Sequence, residues 1–166
     1  MTDKYQEWLK NHNEMIDEIW EAAPESEASF KEYFMNQFNK AVSASERDKT
    51  EAVIDAAFQI ENVLIRTEVL NEMLVIKEHC KHQEITRELQ NIGHPSSVEY
   101  IDMVLKDGFE HLAYNGSESD VIAKWFSHAL KSIGTEDTVA IIAKYSQSND
   151  KGIRSEMSYR LSKIKA

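Results

Sequence analysis

The sequence is poor in residues that cross-link or interrupt a chain. It has one cysteine, Cys80, so no disulfide can form within it, and only five glycines and two prolines among 166 residues. Its apolar runs are far shorter than the roughly 20 residues needed to cross a bilayer. Its first residues lack the cationic and apolar segments of a secretory signal. We therefore expect a cytoplasmic protein without membrane contact.

Positive charge is also scarce. The chain has 19 Lys plus Arg against 29 Asp plus Glu, a formal net charge of −10, and −7 of this falls on residues 1–60. Such a field repels phosphate backbones and attracts basic partners. The composition argues against direct binding of nucleic acid and favours a basic protein partner.

Motifs that bind phosphate or carry a nucleophile are missing. Gly-x-Gly-x-x-Gly, Gly-x-x-x-x-Gly-Lys and Gly-x-Ser-x-Gly do not occur. Carboxylate-bridged di-iron bundles need Glu-x-x-His on two helices, and that spacing is absent as well. We expect no enzyme activity and no cofactor.

The densest group of potential metal ligands is Glu78, His79, Cys80 and His82. Zinc needs ligands that converge tetrahedrally, and four neighbours in one short turn cannot all face one ion. We expect ordinary surface residues on a turn and no metal site.

Apolar residues recur at spacings of three and four along the chain, which predicts helices throughout. The first helix is predicted from about Asp3 to Glu21 and the second from Ser26 or Glu27. Between Arg47 and His79 one helix of about 30 residues is possible, but we expect two helices with a break near Arg66 and Thr67, since helices average about 11 to 12 residues. The predicted apolar face of the first helix consists of Tyr5, Trp8, Leu9, His12, Ile16, Ile19 and Trp20.

The pattern Leu-x-x-Ile-Gly occurs twice, 41 residues apart, ending at Gly93 and Gly134. The apolar residues that follow each copy stay in register at the same offset. Gly93 is predicted to end its helix in a left-handed conformation, and Ser96 to cap the next helix. A period near 40 residues is typical of stacked helix pairs.

These paired helices and the repeated motif resemble HEAT-like α-solenoids over roughly residues 67–164. The resemblance implies an all-α domain over residues 1–166 with about nine helices in stacked antiparallel pairs. Residues 1–45 would form an aromatic capping pair and residues 46–166 the HEAT-like pairs. Solenoids usually present an extended surface to another macromolecule, so the resemblance also implies protein binding.

Two sets of residues are candidates for partner binding. A run of carboxylates, including Glu14, Asp17, Glu18 and Glu21, lies along the last part of the first helix and continues into the following loop, where it can steer a basic partner or simply be solvated. Trp125 and His128 lie beside the predicted core stripe of a later helix. Trp125 can pack on the adjacent repeat or, if exposed, anchor a partner.

A small, acidic, helical protein without catalytic motifs resembles the immunity proteins of bacterial polymorphic toxin and contact-dependent growth inhibition systems. That resemblance implies a partner that is a toxin domain, often a basic nuclease, whose active site is blocked. An adaptor that binds a regulatory partner is the alternative function, followed by an enzyme on a HEAT-like scaffold. The sequence leaves the oligomeric state open.

Overall fold

The structure, a computed structural model, describes residues 2–165 and is all-α over that range, as predicted. The helices are α1 (Asp3–Glu21), α2 (Phe30–Ser43), α3 (Arg47–Phe58), α4 (Val63–Leu74), α5 (His82–Ile92), α6 (Ser97–Asp107), α7 (Ser119–Ile133), α8 (Glu136–Tyr145) and α9 (Lys151–Lys165). Short 3₁₀ helices occupy Glu27–Ser29 and Glu110–Asn115. Among residues 2–165, no helix combines the length and the apolar character needed to cross a bilayer.

The chain divides into two compact units, with the boundary between Met73 and Leu74. In the first unit, α3 packs against both α1 and α2. The boundary that the sequence predicted after residue 45 therefore falls between α2 and α3, which contact each other within the same unit. The prediction of one domain over residues 1–166 stays a prediction.

The first unit contains the predicted aromatic cluster. The Trp20 ring meets Phe30 and Phe34 edge-on, with ring centroids 5.7 and 5.2 Å apart, and Phe34 is fully buried. The Tyr33 hydroxyl donates to the carbonyl of Ile19 over 2.5 Å and so ties α2 to α1. Edge-to-face aromatic pairs of this kind add stabilisation beyond the area they bury.

The apolar face of α1 is buried only in its second part. From His12 onward the core-facing residues are shielded, and His12 Nε2 lies 2.7 Å from Asp55 Oδ2 on α3. In its first turns three side chains of the predicted apolar face are 37–47% exposed: Tyr5, Trp8 and Leu9. The spacing of apolar residues along α1 does not show how far α3, which packs against it, extends.

The break between α3 and α4 also differs from the prediction. It lies between Phe58 and Val63, not at Arg66 and Thr67. The reason is local, because Asn62 Oδ1 accepts from the backbone N–H groups of Leu64 and Ile65 at 3.1 and 3.2 Å and starts α4. Arg66 Nη1 then donates to the carbonyl of Ile60 over 2.6 Å, within the connection.

The second unit has two layers of helices. In one layer α7 packs between α5 and α9, and in the other α6 contacts α8. Contacts of α7 with α8 and of α8 with α9 join the layers. Each layer takes alternate helices of the chain, as expected for stacked helix pairs.

Both copies of Leu-x-x-Ile-Gly end their helices in the same way. Gly93 and Gly134 have φ of 68° and 67°, and their N–H groups donate to the carbonyls of Leu89 and Leu130. Both leucines are fully buried. The repeat therefore sets equivalent core positions and equivalent helix ends in α5 and α7.

Two further glycine and serine positions refine this picture. Ser96 occupies the N-cap position of α6, but the predicted side-chain cap is absent, and its hydroxyl lies 2.8 Å from His94 Nδ1.

At Gly152, near the start of α9, a Cβ atom would come within 2.5 Å of the backbone nitrogen of Asp120 on α7. Close approach of these two helices depends on glycine there.

Candidate protein-binding surfaces

Four exposed carboxylates lie on the solvent side of α1, in the first unit. Glu14, Asp17, Glu18 and Glu21 follow the spacing i, i+3, i+4 and i+7, which places them on one face of a helix. The opposite face carries the buried residues of the same helix. We call these four residues the acidic stripe, and the structure brings them together as the sequence predicted.

The acidic stripe is unfavourable for the helix that carries it. Glu18 and Glu21 lie near the C-terminus of α1, where the helix dipole is negative, and the last turn has no basic residue. Lys10 Nζ is 3.9 Å from Glu14 Oε1, but both side chains are exposed, so this pair adds little stability. Helix stability therefore does not account for the stripe.

Trp125 and His128 lie on α7 in the second unit and line a groove between α5 and α7. The groove has a volume of about 370 Å³. Trp125 is half-buried and His128 is exposed at its surface. The lining residues are Gln83, Thr86, Arg87, Gln90, Asn91, Lys124, Trp125 and His128. We call this feature the α5–α7 groove.

A buried polar network of α7 and α9 supports one side of this groove. Glu156 Oε1 accepts from Ser127 Oγ at 2.7 Å and from Arg160 Nη2 at 3.3 Å, and all three side chains are buried. Arg160 Nη2 also lies 3.3 Å from His128 Nε2. Partial burial and the neighbouring Arg160 lower the pKa of His128.

The predicted partner-binding residues thus form two groups, one in each unit. The four carboxylates share the acidic stripe, whereas Trp125 and His128 share the α5–α7 groove. Sequence reasoning missed the polar residues that α5 contributes to the groove. The repeat offset could have found them, because Gln83 lies at the position equivalent to Lys124, 41 residues later.

The residues expected to be ordinary surface positions on a turn are partly buried instead. His79 and His82 are 6% and 0% exposed, and their rings stack with centroids 3.8 Å apart. His82 Nε2 lies 2.8 Å from the carbonyl of Ile76 and Nδ1 2.9 Å from Tyr114 Oη. That surface prediction is wrong because His82 occupies the core position that Ala123 occupies one repeat later.

Burial also lowers the pKa of two histidines in this cluster. Desolvation, with a smaller contribution from the neighbouring His79, lowers the pKa of His82 to about 3. Burial likewise lowers the pKa of His111, whose ring lies 5.3 Å from that of His82. Within residues 2–165, no group of three or more His, Cys, Asp or Glu side chains has the arrangement of a metal site.

Comparison of the chain with protein-family models, with curated proteins and with solved structures found no match.

Proposed function

We propose that this protein is an immunity-type inhibitor that binds a basic toxin domain, in the first instance a nuclease, and blocks its active site. The observation that carries the proposal is the acidic stripe, four exposed carboxylates on one face of α1, two of which, Glu18 and Glu21, lie at the negative end of the helix dipole. A charged surface with this cost to the helix is consistent with selection for recognition. The proposal assigns no catalytic step to the chain.

The physical mechanism is charge complementarity. From Glu14 to Glu21 the stripe extends over about 10 Å at 1.5 Å per residue. A nuclease groove is basic because it binds a phosphate backbone, and a row of carboxylates can occupy the same cations. The overall charge of −10 adds long-range attraction to such a partner. The inhibitor would then exclude the nucleic acid by occupying its binding surface.

The first experiment identifies the partner. Tagged protein is co-expressed with the reading frame immediately upstream of its gene, and the complex is purified and analysed by mass spectrometry. Recovery of a basic domain whose nuclease activity is lost at equimolar inhibitor supports the proposal. Recovery only of other proteins, with no effect on a toxin, favours an adaptor instead.

The second experiment tests the acidic stripe. The variant Glu14→Gln, Asp17→Asn, Glu18→Gln, Glu21→Gln should associate with the recovered domain at least tenfold more slowly at low salt, because electrostatic steering accelerates association by about 10 to 1,000-fold. The difference should shrink at high salt. Stopped-flow or surface-binding kinetics measure both rates.

The matched control variant neutralises the same number of carboxylates in the second unit. Glu99, Glu110, Glu136 and Asp137 are exposed carboxylates of the second unit, and their neutralisation to Gln or Asn alters the net charge equally. A control variant that slows association as much as the stripe variant would show that net charge alone matters. That result would remove the stripe from the proposal.

A further inference from the structure

The α5–α7 groove has a chemistry opposite to that of the acidic stripe. Its charged lining residues are two cations, Arg87 and Lys124, and no carboxylate lines it. Within residues 2–165, neither cation has a carboxylate at ion-pair distance, although the chain carries 29 Asp and Glu. Two unpaired cations on neighbouring helices are therefore available to an anionic ligand.

The shape of the groove favours an elongated ligand. From Gln83 to Asn91, the lining residues of α5 follow one another along the helix over about 12 Å. An extended peptide covers that distance with about four residues, at roughly 3.3 Å per residue. An open channel beside a helix therefore matches a short extended segment.

The remaining lining groups match a peptide as well. Gln83, Gln90 and Asn91 each carry an amide that both donates and accepts, as a peptide backbone does. Trp125 is half-buried, so part of its ring is fixed by packing while part faces the groove. Tryptophan and arginine in such positions dominate the binding energy of many protein interfaces.

His128 contributes a fixed hydrogen-bond donor. Arg160 can only donate, so in their 3.3 Å contact His128 Nε2 is the acceptor. A neutral imidazole that accepts at Nε2 carries its proton at Nδ1. The groove wall thus combines two cations, three amides, a tryptophan ring and an N–H donor.

We propose that the α5–α7 groove binds an acidic, extended segment of a partner protein, with carboxylates on Arg87 and Lys124 and an aromatic side chain against Trp125. This site goes beyond the proposed inhibitor function, because it takes a ligand of opposite charge and lies in the other unit. It does not depend on the identity of the partner of the acidic stripe.

The proposal is tested with the full-length protein and two fluorescein-labelled peptides of equal length. One has a tyrosine flanked on both sides by glutamates, and the other has the same tyrosine flanked by lysines. Fluorescence anisotropy at low ionic strength should show saturable binding of the glutamate peptide that is weakened in Arg87→Gln and Lys124→Gln, whereas any binding of the lysine peptide to the acidic stripe should be unaffected by these variants. Absence of saturable binding of the glutamate peptide, or an equal effect of the variants on both peptides, would overturn the proposal.

Variants locate the binding site. Arg87→Gln and Lys124→Gln should each weaken binding of the glutamate peptide about tenfold, since each removes a charge-assisted hydrogen bond. Trp125→Ala should weaken it by a similar factor, whereas Trp125→Phe should retain most of the affinity. These side chains are exposed or half-exposed, so the variants should keep their circular dichroism spectrum and melting temperature.

The control separates the groove from the net charge. Lys106→Gln combined with Lys165→Gln removes two exposed lysines of the second unit that do not line the groove, and binding should be unchanged within about twofold. The matching double variant, Arg87→Gln combined with Lys124→Gln, should lose most of the binding, and an equal loss in the control would overturn the assignment. Displacement of the peptide by adenosine monophosphate or oligothymidylate at lower concentration than by unlabelled peptide would assign a nucleotide ligand and also overturn it.

Discussion

The first and second units present their candidate surfaces in different ways. The acidic stripe is the solvent face of a single helix, and its carboxylates need no tertiary contact to be where they are. The α5–α7 groove exists only because α5 and α7 pack against each other, while the buried network around Glu156 ties α7 to α9 on one side of it. The stripe can therefore act through long-range charge alone, whereas the charges of the groove act together with the geometry that its two helices provide.

The largest expected loss of stability comes from removing the buried carboxylate of Glu156, which supports one side of the groove. Glu156→Ala leaves Arg160 buried without its carboxylate, and an uncompensated buried charge costs about 3–5 kcal/mol of unfolding free energy. Urea unfolding followed by circular dichroism measures the loss. Ser127→Ala removes a neutral partner only and should cost roughly 1 kcal/mol. Equal losses for the two variants would contradict the buried-pair explanation.

A change of pH should act on the second unit through His82. Because its pKa is lowered to about 3 from 6.5, the unfolded chain binds more protons than the folded one between these values. Its contribution to stability is complete above pH 6.5 and is lost as the pH falls. We expect a loss of about 2 kcal/mol between neutral pH and about pH 5.

The pH effect has its own control. His82→Ala places the residue found at the equivalent position of the next repeat, Ala123, and removes the titrating group. This variant has a lower stability from lost packing, but its unfolding free energy should vary less with pH than that of the unmodified protein. An unchanged slope over this pH range would show that His82 does not control it.

The residues that end helices allow a further comparison of the two units, with smaller expected changes in the free energy of unfolding. After α2 a serine, Ser45, has φ of 56°, whereas glycines occupy such positions after α5 and α7. Left-handed backbone costs a non-glycine residue roughly 1–2 kcal/mol. Ser45→Gly should therefore stabilise the protein slightly, and Gly93→Ala and Gly134→Ala should destabilise it by similar amounts of about 1 kcal/mol each.

Thermal and urea unfolding of the three variants measure these differences. The two glycine variants form the internal control, because their φ values agree and a Cβ at either position meets only ordinary or slightly tight contacts. A large difference between them would mean that the two copies of the repeat are not equivalent helix ends.

The smallest effect is expected for the acidic stripe. Neutralising Glu18 and Glu21 removes two carboxylates from the negative end of the α1 dipole, so stability should rise by a few tenths of a kcal/mol. Thermal unfolding at low ionic strength should show the rise, and added salt should reduce it. A clear loss of stability would show that these carboxylates have structural contacts and would weaken the functional interpretation.

The sequence predicted much of the fold where one pattern sufficed. The bounds of α1 follow from its apolar spacing, and Gly93 and Gly134 follow from the duplicated motif, because each needs only local information. The break at Asn62 was missed because a single amide cap outweighed a continuous apolar pattern. Burial of His82 was missed because a histidine was read by its polarity and not by its repeat position.

The candidate sites divide along the same line. The acidic stripe could be predicted from one helix, since the spacing of its members fixes their common face. The groove could be predicted only in part, because the 41-residue offset pairs Gln83 with Lys124 but does not place Arg160 of a third helix beside His128. That placement depends on how α7 and α9 pack.

The pairing of Gly93 and Gly134 bears on how such a chain can change in length. A Cβ at Gly93 would lie 3.5 Å from the carbonyl oxygen of Ser132, in the last turn of the next copy. Each copy therefore ends against the end of its neighbour, as in arrays where units contact only adjacent units. Duplication of a whole 41-residue segment would reproduce this junction, whereas insertion of part of one would displace it. The fold therefore accommodates the addition of whole repeats better than the addition of partial ones.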